Sequence, residues 1–190
     1  MKPILFLDLD DVLCLNTSFG ARDAISAARG CHSNPQDVWR DLFDPTAVGV
    51  LRRLHHAMTR NLRYVISSTW REYLHRHEMG EVFRQTGLRF LAEALEPGKR
   101  WRTPSPWDFS DRAGEIAAWL DLYHESEPFA IVDDRLSGLT LQPSLELETH
   151  CFFGRVVLCQ ESVGLQEKHL PPLTSALCRL SPNLGGVIHG

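Results

Sequence analysis

Four short runs of consecutive apolar residues constrain the fold more than any other feature of this sequence. They are Ile4-Leu5-Phe6-Leu7, Tyr64-Val65-Ile66, Phe129-Ala130-Ile131-Val132 and Val156-Val157-Leu158. Continuously apolar runs of this length are typical of strands that are covered on both faces. Helical patterns lie between them, so the chain is predicted to alternate strands and helices around one parallel sheet.

Two of the intervening helices have clear start signals. Asp44-Pro45 predicts an N-cap followed by proline at the first helical position, and Ser110-Asp111 predicts the cap of a second helix. Residues 71–85 and 166–179 have weaker helical patterns. We therefore expect an α/β fold with about five parallel strands and helices on both faces.

Composition limits the class of protein. A chain of 190 residues with 43% apolar content is long enough for one domain with a real core. Its five cysteines are scattered, without a C-x-x-C pair or a zinc-like cluster, and no apolar run reaches the length of a signal-peptide core or a membrane span. A cytoplasmic protein with reduced thiols and no membrane partner is expected, while the oligomeric state stays open.

Polar residues follow the apolar runs at the points where the strands end. In a parallel sheet these ends share one edge, which is where ligands bind. The helix that begins near Ser110 leads into the third run, so its first turn reaches the same edge. The residues expected there are Asp8 and Asp10, then Ser67, Ser68 and Thr69, then Arg112, and finally Asp133 and Asp134.

Carboxylates gathered at one edge predict a cation. Like charges at short range repel and raise the pKa of each carboxyl group unless a cation neutralises them. Oxygen ligands favour Mg²⁺, which often shares its shell with a phosphate. For Asp8 or Asp10 alone a polar turn would suffice, but the pair together with Asp133-Asp134 favours a metal site.

These residues resemble the motifs of the haloacid dehalogenase-like (HAD) phosphohydrolase superfamily. Phe6-Leu7-Asp8-Leu9-Asp10-Asp11-Val12-Leu13 resembles its first motif, Ile66-Ser67-Ser68-Thr69 its second and Ile131-Val132-Asp133-Asp134 its fourth. A narrower similarity is to the HAD domain of bacterial Swiss Army Knife RNA repair proteins. The residues that carry it are Ser68-Thr69-Trp70-Arg71, Arg112 with Glu115-Ile116, and Trp119-Leu120. The resemblance implies a Rossmann-like three-layer fold with one catalytic domain at 1–180. Gly185-Gly186, which no helix follows, predict a flexible tail at 181–190.

The resemblance also implies a role for each site residue. Asp8 would be the nucleophile that forms an aspartyl-phosphate, and Asp10 would be the general acid and then the general base. Mg²⁺ would bind Asp8, the backbone carbonyl of Asp10, Asp133 and, as a ligand or an anchor, Asp134. Ser68 would hydrogen-bond a phosphoryl oxygen, with Ser67 and Thr69 as alternatives.

The third motif of the superfamily departs from the usual pattern. That motif is normally a Lys, and this chain has only three Lys residues. Arg112, at the start of a helix that faces the expected site, is the first candidate to replace it, and Lys99 is the second.

Loop lengths and charge bear on the substrate. Residues 15–43 and 86–109 are interpreted as loop insertions near the site, too short for a cap domain with its own core, and Trp39, Trp101 and Trp107 on them would only screen an open site. Residues 50–112 hold twelve Arg and Lys against seven Asp and Glu. An open, locally positive site favours a phosphorylated substrate that is large, such as a nucleic-acid end. The alternatives are a small-metabolite or nucleotide phosphatase, and a weakly active or inactive binding module.

Overall fold

The four apolar runs form one parallel sheet in the computed structural model, which describes residues 1–59, 61–104 and 111–179. The strands are β1 (Ile4–Leu7), β2 (Arg63–Ile66), β3 (Phe129–Asp134) and β4 (Val156–Cys159). Their order is β2-β1-β3-β4, and Leu7 of β1 pairs with Ile66 on one side and Val132 on the other. The predicted α/β class with a central parallel sheet is confirmed.

Helices cover both faces of the sheet. In chain order they are α1 (Ala21–Ala28), α2 (Pro35–Asp41), α3 (Pro45–Ala57), α4 (Trp70–Tyr73), α5 (Arg76–Gln85), α6 (Arg89–Ala94), α7 (Arg112–Tyr123) and α8 (Leu170–Cys178), with 3₁₀ turns at Leu139–Leu145 and Glu167–His169. None of the helices in the described ranges combines the length and apolarity that crossing a bilayer requires.

Alternation along the strands divides the core between the two faces. Leu7 and Ile66 belong to an apolar cluster that also includes residues of α3, α5 and α8. Phe6 points to the opposite face, where its ring meets Trp119 of α7 edge-on at 5.2 Å between centroids. The sheet is therefore the middle of three layers, and α7 covers one of its faces.

Both predicted N-caps are present. The Asp44 carboxylate accepts a hydrogen bond from Ala47 N at 2.8 Å, and the Asp111 carboxylate accepts one from Gly114 N at 2.7 Å. Each such cap stabilises a helix by about 1 kcal/mol. The second cap makes Arg112 the first residue of α7 and so fixes where its side chain begins.

The expectation of about five strands is wrong, because the described residues form a sheet of four. The fifth position, beside β2, holds only two isolated bridges, Tyr64 with Leu95 and Ile66 with Arg102. Between them the chain leaves the sheet through Pro97, which has no N–H for a ladder, and Gly98, whose φ is 59°. A strand is interrupted here by a loop.

The two segments interpreted as loops contain helices. Residues 15–43 include α1 and α2, whose Ala24, Val38 and Trp39 pack into the same apolar cluster as the sheet. Residues 86–104 include α6. Because these helices share the main core, the described parts of the two segments, 15–43 and 86–104, form no separate cap.

The tryptophans expected to screen the site do not do so where the structure describes them. Trp39 and Trp101 are buried in the main apolar cluster and so act as packing residues. Trp107 lies outside the described residues, as does the tail at 181–190. A single domain at 1–180 with a tail after it therefore stays a prediction.

Candidate active site

The register of the sheet brings Asp8 between Ser67 and Asp133. Asp8 N donates to Val132 O at 3.0 Å, and Ser67 N donates to Leu7 O at 3.0 Å. Both ladders thus continue one residue past the paired Leu7, so the three polar residues stand side by side at the carboxyl edge. Side chains alternate between the two faces of a sheet, so the strand residues before these three place their side chains on the face that α7 covers.

Three of the predicted site residues form a buried carboxylate cluster, defined here as Asp8, Asp133 and Asp134. One carboxylate oxygen from each lies within 4.8 Å of the others. Asp8 Oδ2 and Asp133 Oδ2 are buried without a hydrogen-bond donor. Asp134 Oδ1 accepts from the backbone N of Leu136 at 2.7 Å and of Ser137 at 3.0 Å, which anchors this carboxylate to the following turn.

Burial and mutual repulsion disfavour the charged forms of the cluster. Burial raises the pKa of Asp8 well above its ordinary value, and the charge of Asp133 raises it further. Burial also raises the pKa of Asp133 to about 7, although the charge of Arg112 opposes this rise. A cation bound between the carboxylates would remove the cost of ionising them, and unpartnered oxygens are suited to that role. The donor set therefore fits a divalent metal ion.

Asp10 stands apart from the cluster and is only partly buried. Its Oδ2 accepts a hydrogen bond from Trp70 Nε1 at 2.9 Å, and its Oδ1 accepts a longer one from Asn16 Nδ2 at 3.4 Å. Burial raises the pKa of Asp10, while these two bonds lower it. The Asp10 side chain is thus oriented toward Trp70 and Asn16 and away from the cluster. The part of Asp10 predicted to bind a metal is therefore its backbone carbonyl.

Arg112 reaches the cluster from the first turn of α7. Its Nη2 lies 3.3 Å from Asp8 Oδ1, its Nε lies 2.9 Å from Asp133 Oδ2, and its Nη1 lies 3.1 Å from Glu115 Oε2. The Nε contact is close but lacks hydrogen-bond alignment, so both atoms remain without a formal bond. Burial lowers the pKa of Arg112, and the charges of Asp133 and Asp8 outweigh it, so the net direction is upward.

Lys99, the second candidate for this position, is exposed in the loop beside β2. Among the described residues, the ion pairs of Asp8 and Asp133 are made by Arg112, and Lys99 makes none with them. Because Arg112 contacts Asp8, the candidate nucleophile, it is favoured over Lys99 as the residue that replaces the third-motif Lys.

The three hydroxyl candidates after β2 differ in their surroundings. Ser67 Oγ is buried and has no hydrogen-bond partner. Ser68 is also buried, and its Oγ accepts a long bond from Trp70 N at 3.5 Å. Thr69 is exposed. The motif alone selects Ser68 as the residue that hydrogen-bonds a phosphoryl oxygen. The register of the sheet and the unpartnered hydroxyl make Ser67 the stronger candidate for that role.

Residues to which the sequence gives no role also meet the site. Trp70 donates to Asp10, and the buried Arg71 and Glu115 form an ion pair of 2.8 Å that continues to Arg112. The signal available in the sequence was the Trp70-Arg71 pair directly after the hydroxyls. Its partners lie tens of residues away, so only the fold reveals these contacts.

The site thus offers three chemical elements. The carboxylate cluster can hold a cation, Arg112 brings a fixed positive charge to Asp8, and Asp10 is a carboxylate held nearby but outside the cluster. A cation site next to a guanidinium suits an anionic substrate, and a second carboxylate can move a proton.

Comparison with known proteins agrees with this geometry. Residues 4–170 match the model of the HAD domain in Swiss Army Knife RNA repair proteins. No curated protein and no solved structure gives a significant match. The match spans most of the chain, includes every site residue named above, and indicates a hydrolase of the phosphatase type. The chain belongs to the HAD domain family of the Swiss Army Knife RNA repair proteins.

Proposed function

We propose that this protein is a Mg²⁺-dependent phosphohydrolase that acts through an aspartyl-phosphate on Asp8. The observation that carries the proposal is the pair of buried carboxylate oxygens, Asp8 Oδ2 and Asp133 Oδ2, which accept no hydrogen bond although Arg112 lies beside them. Buried polar atoms without hydrogen bonds are rare, and a bound ion is one way in which they are satisfied. A cation and a phosphoryl group would satisfy them.

Two carboxylates would divide the chemistry. An oxygen of Asp8 attacks phosphorus, and the bond from phosphorus to the leaving oxygen breaks as Asp10 donates a proton to that oxygen. Asp10 then takes a proton from water, whose oxygen attacks phosphorus and releases Asp8. Trp70 and Asn16 hold the Asp10 carboxylate for both transfers.

The cations of the site would hold the phosphate. Arg112, held at Nη1 by Glu115, would meet the phosphoryl oxygens with Nη2 and Nε, because the Asp8 and Asp133 carboxylates that it now faces would then hold Mg²⁺. The carboxylates of Asp8 and Asp133 and the backbone carbonyl of Asp10 would hold Mg²⁺, with Asp134 as a ligand or an anchor. When bound, Mg²⁺ supplies charge neutralisation as a Lewis acid.

The reaction class is tested with p-nitrophenyl phosphate. We expect p-nitrophenol release that requires Mg²⁺, is lost in EDTA and returns when Mg²⁺ is restored. Absence of release under all these conditions would support the alternative of an inactive binding module. The lack of the usual third-motif Lys would favour that alternative, but the contact of Arg112 with Asp8 supports the enzyme instead.

We further propose a nucleic-acid end as the substrate and the cytoplasm as the location. The family name, the positive excess in residues 50–112 and the lack of a separate cap in the described segments support a large anionic substrate.

Activity on a phosphorylated oligonucleotide should therefore fall steeply as salt rises, because several phosphates release counterions on binding. The same salt series with p-nitrophenyl phosphate is the control and should be nearly flat. A salt-independent rate on the oligonucleotide, or a clear preference for a sugar phosphate or a nucleotide, would contradict this substrate.

Matched substitutions decide between the two buried serines. Ser67→Ala should lower kcat/KM about tenfold to a hundredfold, since a hydrogen bond to a charged group contributes about 1.5–3 kcal/mol. Ser68→Ala should change kcat/KM by less than about threefold, because Ser68 already pairs with Trp70 N. The reverse order would favour the motif-based choice of Ser68.

A further inference from the structure

Arg71 is a buried cation that the proposed reaction leaves unexplained. Its side chain is 1% exposed. Its Nη1 donates to Ser67 O at 2.9 Å and to Ser68 O at 2.8 Å, and its Nε donates to Thr103 O at 3.2 Å. The guanidinium therefore fastens the hydroxyl-bearing turn after β2 to the segment that runs beside it.

Glu115 connects this anchor to Arg112. Its Oε1 lies 2.8 Å from Arg71 Nη2, and its Oε2 lies 3.1 Å from Arg112 Nη1. All three side chains are at least nine-tenths buried. Both carboxylate oxygens are thus committed, and the negative charge lies between two buried guanidiniums that would otherwise repel each other.

The connection constrains how Arg112 can point. Its Nη1 is held by Glu115, one helical turn further along α7, while Nη2 and Nε face Asp8 and Asp133. A free arginine side chain loses considerable rotamer entropy when it is fixed. A guanidinium already fixed at one nitrogen pays less of that cost when it meets a ligand with the others.

We propose that Glu115 and Arg71 are positioning residues that hold Arg112 in the orientation needed to bind the phosphoryl group. This inference rests on the proposed function, because it assigns a purpose to the orientation of Arg112. Arg71 sets the position of Glu115 from the turn after β2, and Glu115 sets the direction of Arg112. The phosphate-binding turn and the phosphate-binding cation are thereby fixed to each other.

A double-mutant cycle tests the coupling. Glu115→Gln keeps the size of the side chain and removes its charge, and should lower kcat/KM for p-nitrophenyl phosphate about tenfold to a hundredfold, as is typical of groups that orient a site residue. In an Arg112→Met background the same substitution should change kcat/KM by less than about twofold, because no guanidinium remains to be oriented. Equal losses in both backgrounds would overturn the proposal.

A binding measurement separates positioning from folding. The affinity for inorganic phosphate in the presence of Mg²⁺, measured by calorimetry, should be weaker in Glu115→Gln than in the wild-type protein. The double mutant Glu115→Gln/Arg112→Met should have the same affinity as Arg112→Met alone. The matched control is Glu96→Gln, since Glu96 is also a buried glutamate in an ion pair, with Arg63 at 3.1 Å beside the start of β2. This control should keep wild-type phosphate affinity and turnover. A loss in Glu96→Gln as large as in Glu115→Gln would show a general effect on the fold and overturn the positioning role.

The two proposals fail in different ways. If the wild-type protein neither turns over p-nitrophenyl phosphate nor binds phosphate, the proposed function fails and the positioning role falls with it. If the wild-type protein is active but the losses at residues 115 and 112 are additive, only the positioning role fails. Glu115→Gln is the substitution that tests the positioning role. A substitution of Arg71 would also remove its hydrogen bonds to the backbone carbonyls of Ser67 and Ser68, so its effect could not be assigned to positioning alone.

Discussion

Replacement of Asp8 with Asn is expected to abolish Mg²⁺-dependent release of p-nitrophenol. An amide is a poor nucleophile and a poor ligand for Mg²⁺, so the substitution removes both functions proposed for this residue. The measurement is the steady-state rate of purified Asp8→Asn against the wild-type protein. Turnover at the wild-type level would exclude a covalent mechanism at Asp8.

The fold should survive this change, which makes the loss of activity interpretable. Because burial raises the pKa of Asp8 in the folded protein, the folded state binds a proton more tightly than the unfolded state. Ionising Asp8 therefore costs stability as pH rises above the ordinary pKa of 3.8, until the raised pKa is passed. Asn cannot ionise, and in EDTA at neutral pH the Tm of Asp8→Asn should equal or exceed that of the wild-type protein. A much lower Tm would mean that Asp8 is needed for folding.

Replacement of Asp10 with Asn should slow turnover by about 10²–10⁴-fold, the usual effect of losing a general acid or base. The loss in kcat/KM should be larger for an alkyl phosphate than for p-nitrophenyl phosphate, because an alkoxide needs a proton to leave and a nitrophenolate hardly does. The two substrates, assayed side by side, provide the internal control. Equal losses on both would indicate that Asp10 acts through structure and does not protonate the leaving oxygen.

Local sequence patterns were sufficient to predict the centre of the fold. A strand covered on both faces needs an unbroken apolar run, and all four such runs form strands. The caps at Asp44 and Asp111 were also predictable, since a capping carboxylate needs only a backbone N–H three residues later. The meeting of Asp8 with Asp133 follows from the parallel order of their strands.

The rest depends on contacts between distant residues. The apolar stripe of α1 is mostly alanine and α2 has only seven residues, so both are weak helix signals and the sequence predicts loop at residues 15–43. The choice between Ser67 and Ser68 requires the register of β2 against β1, which neighbouring residues do not encode. The link from Arg71 to Glu115 joins residues far apart in the chain, and it exists only once α7 packs near the turn after β2.

The covalent step is tested most directly by trapping it. With p-nitrophenyl phosphate and Mg²⁺, Asp10→Asn should form the aspartyl-phosphate faster than it hydrolyses it, because nitrophenolate leaves unaided while water still lacks its base. Acid quenching followed by peptide mass spectrometry should then find one phosphoryl group on Asp8, removable by hydroxylamine and absent when Mg²⁺ is omitted. A burst of p-nitrophenol that equals the enzyme concentration without a phosphoryl group on Asp8, or with one on another residue, would contradict the mechanism.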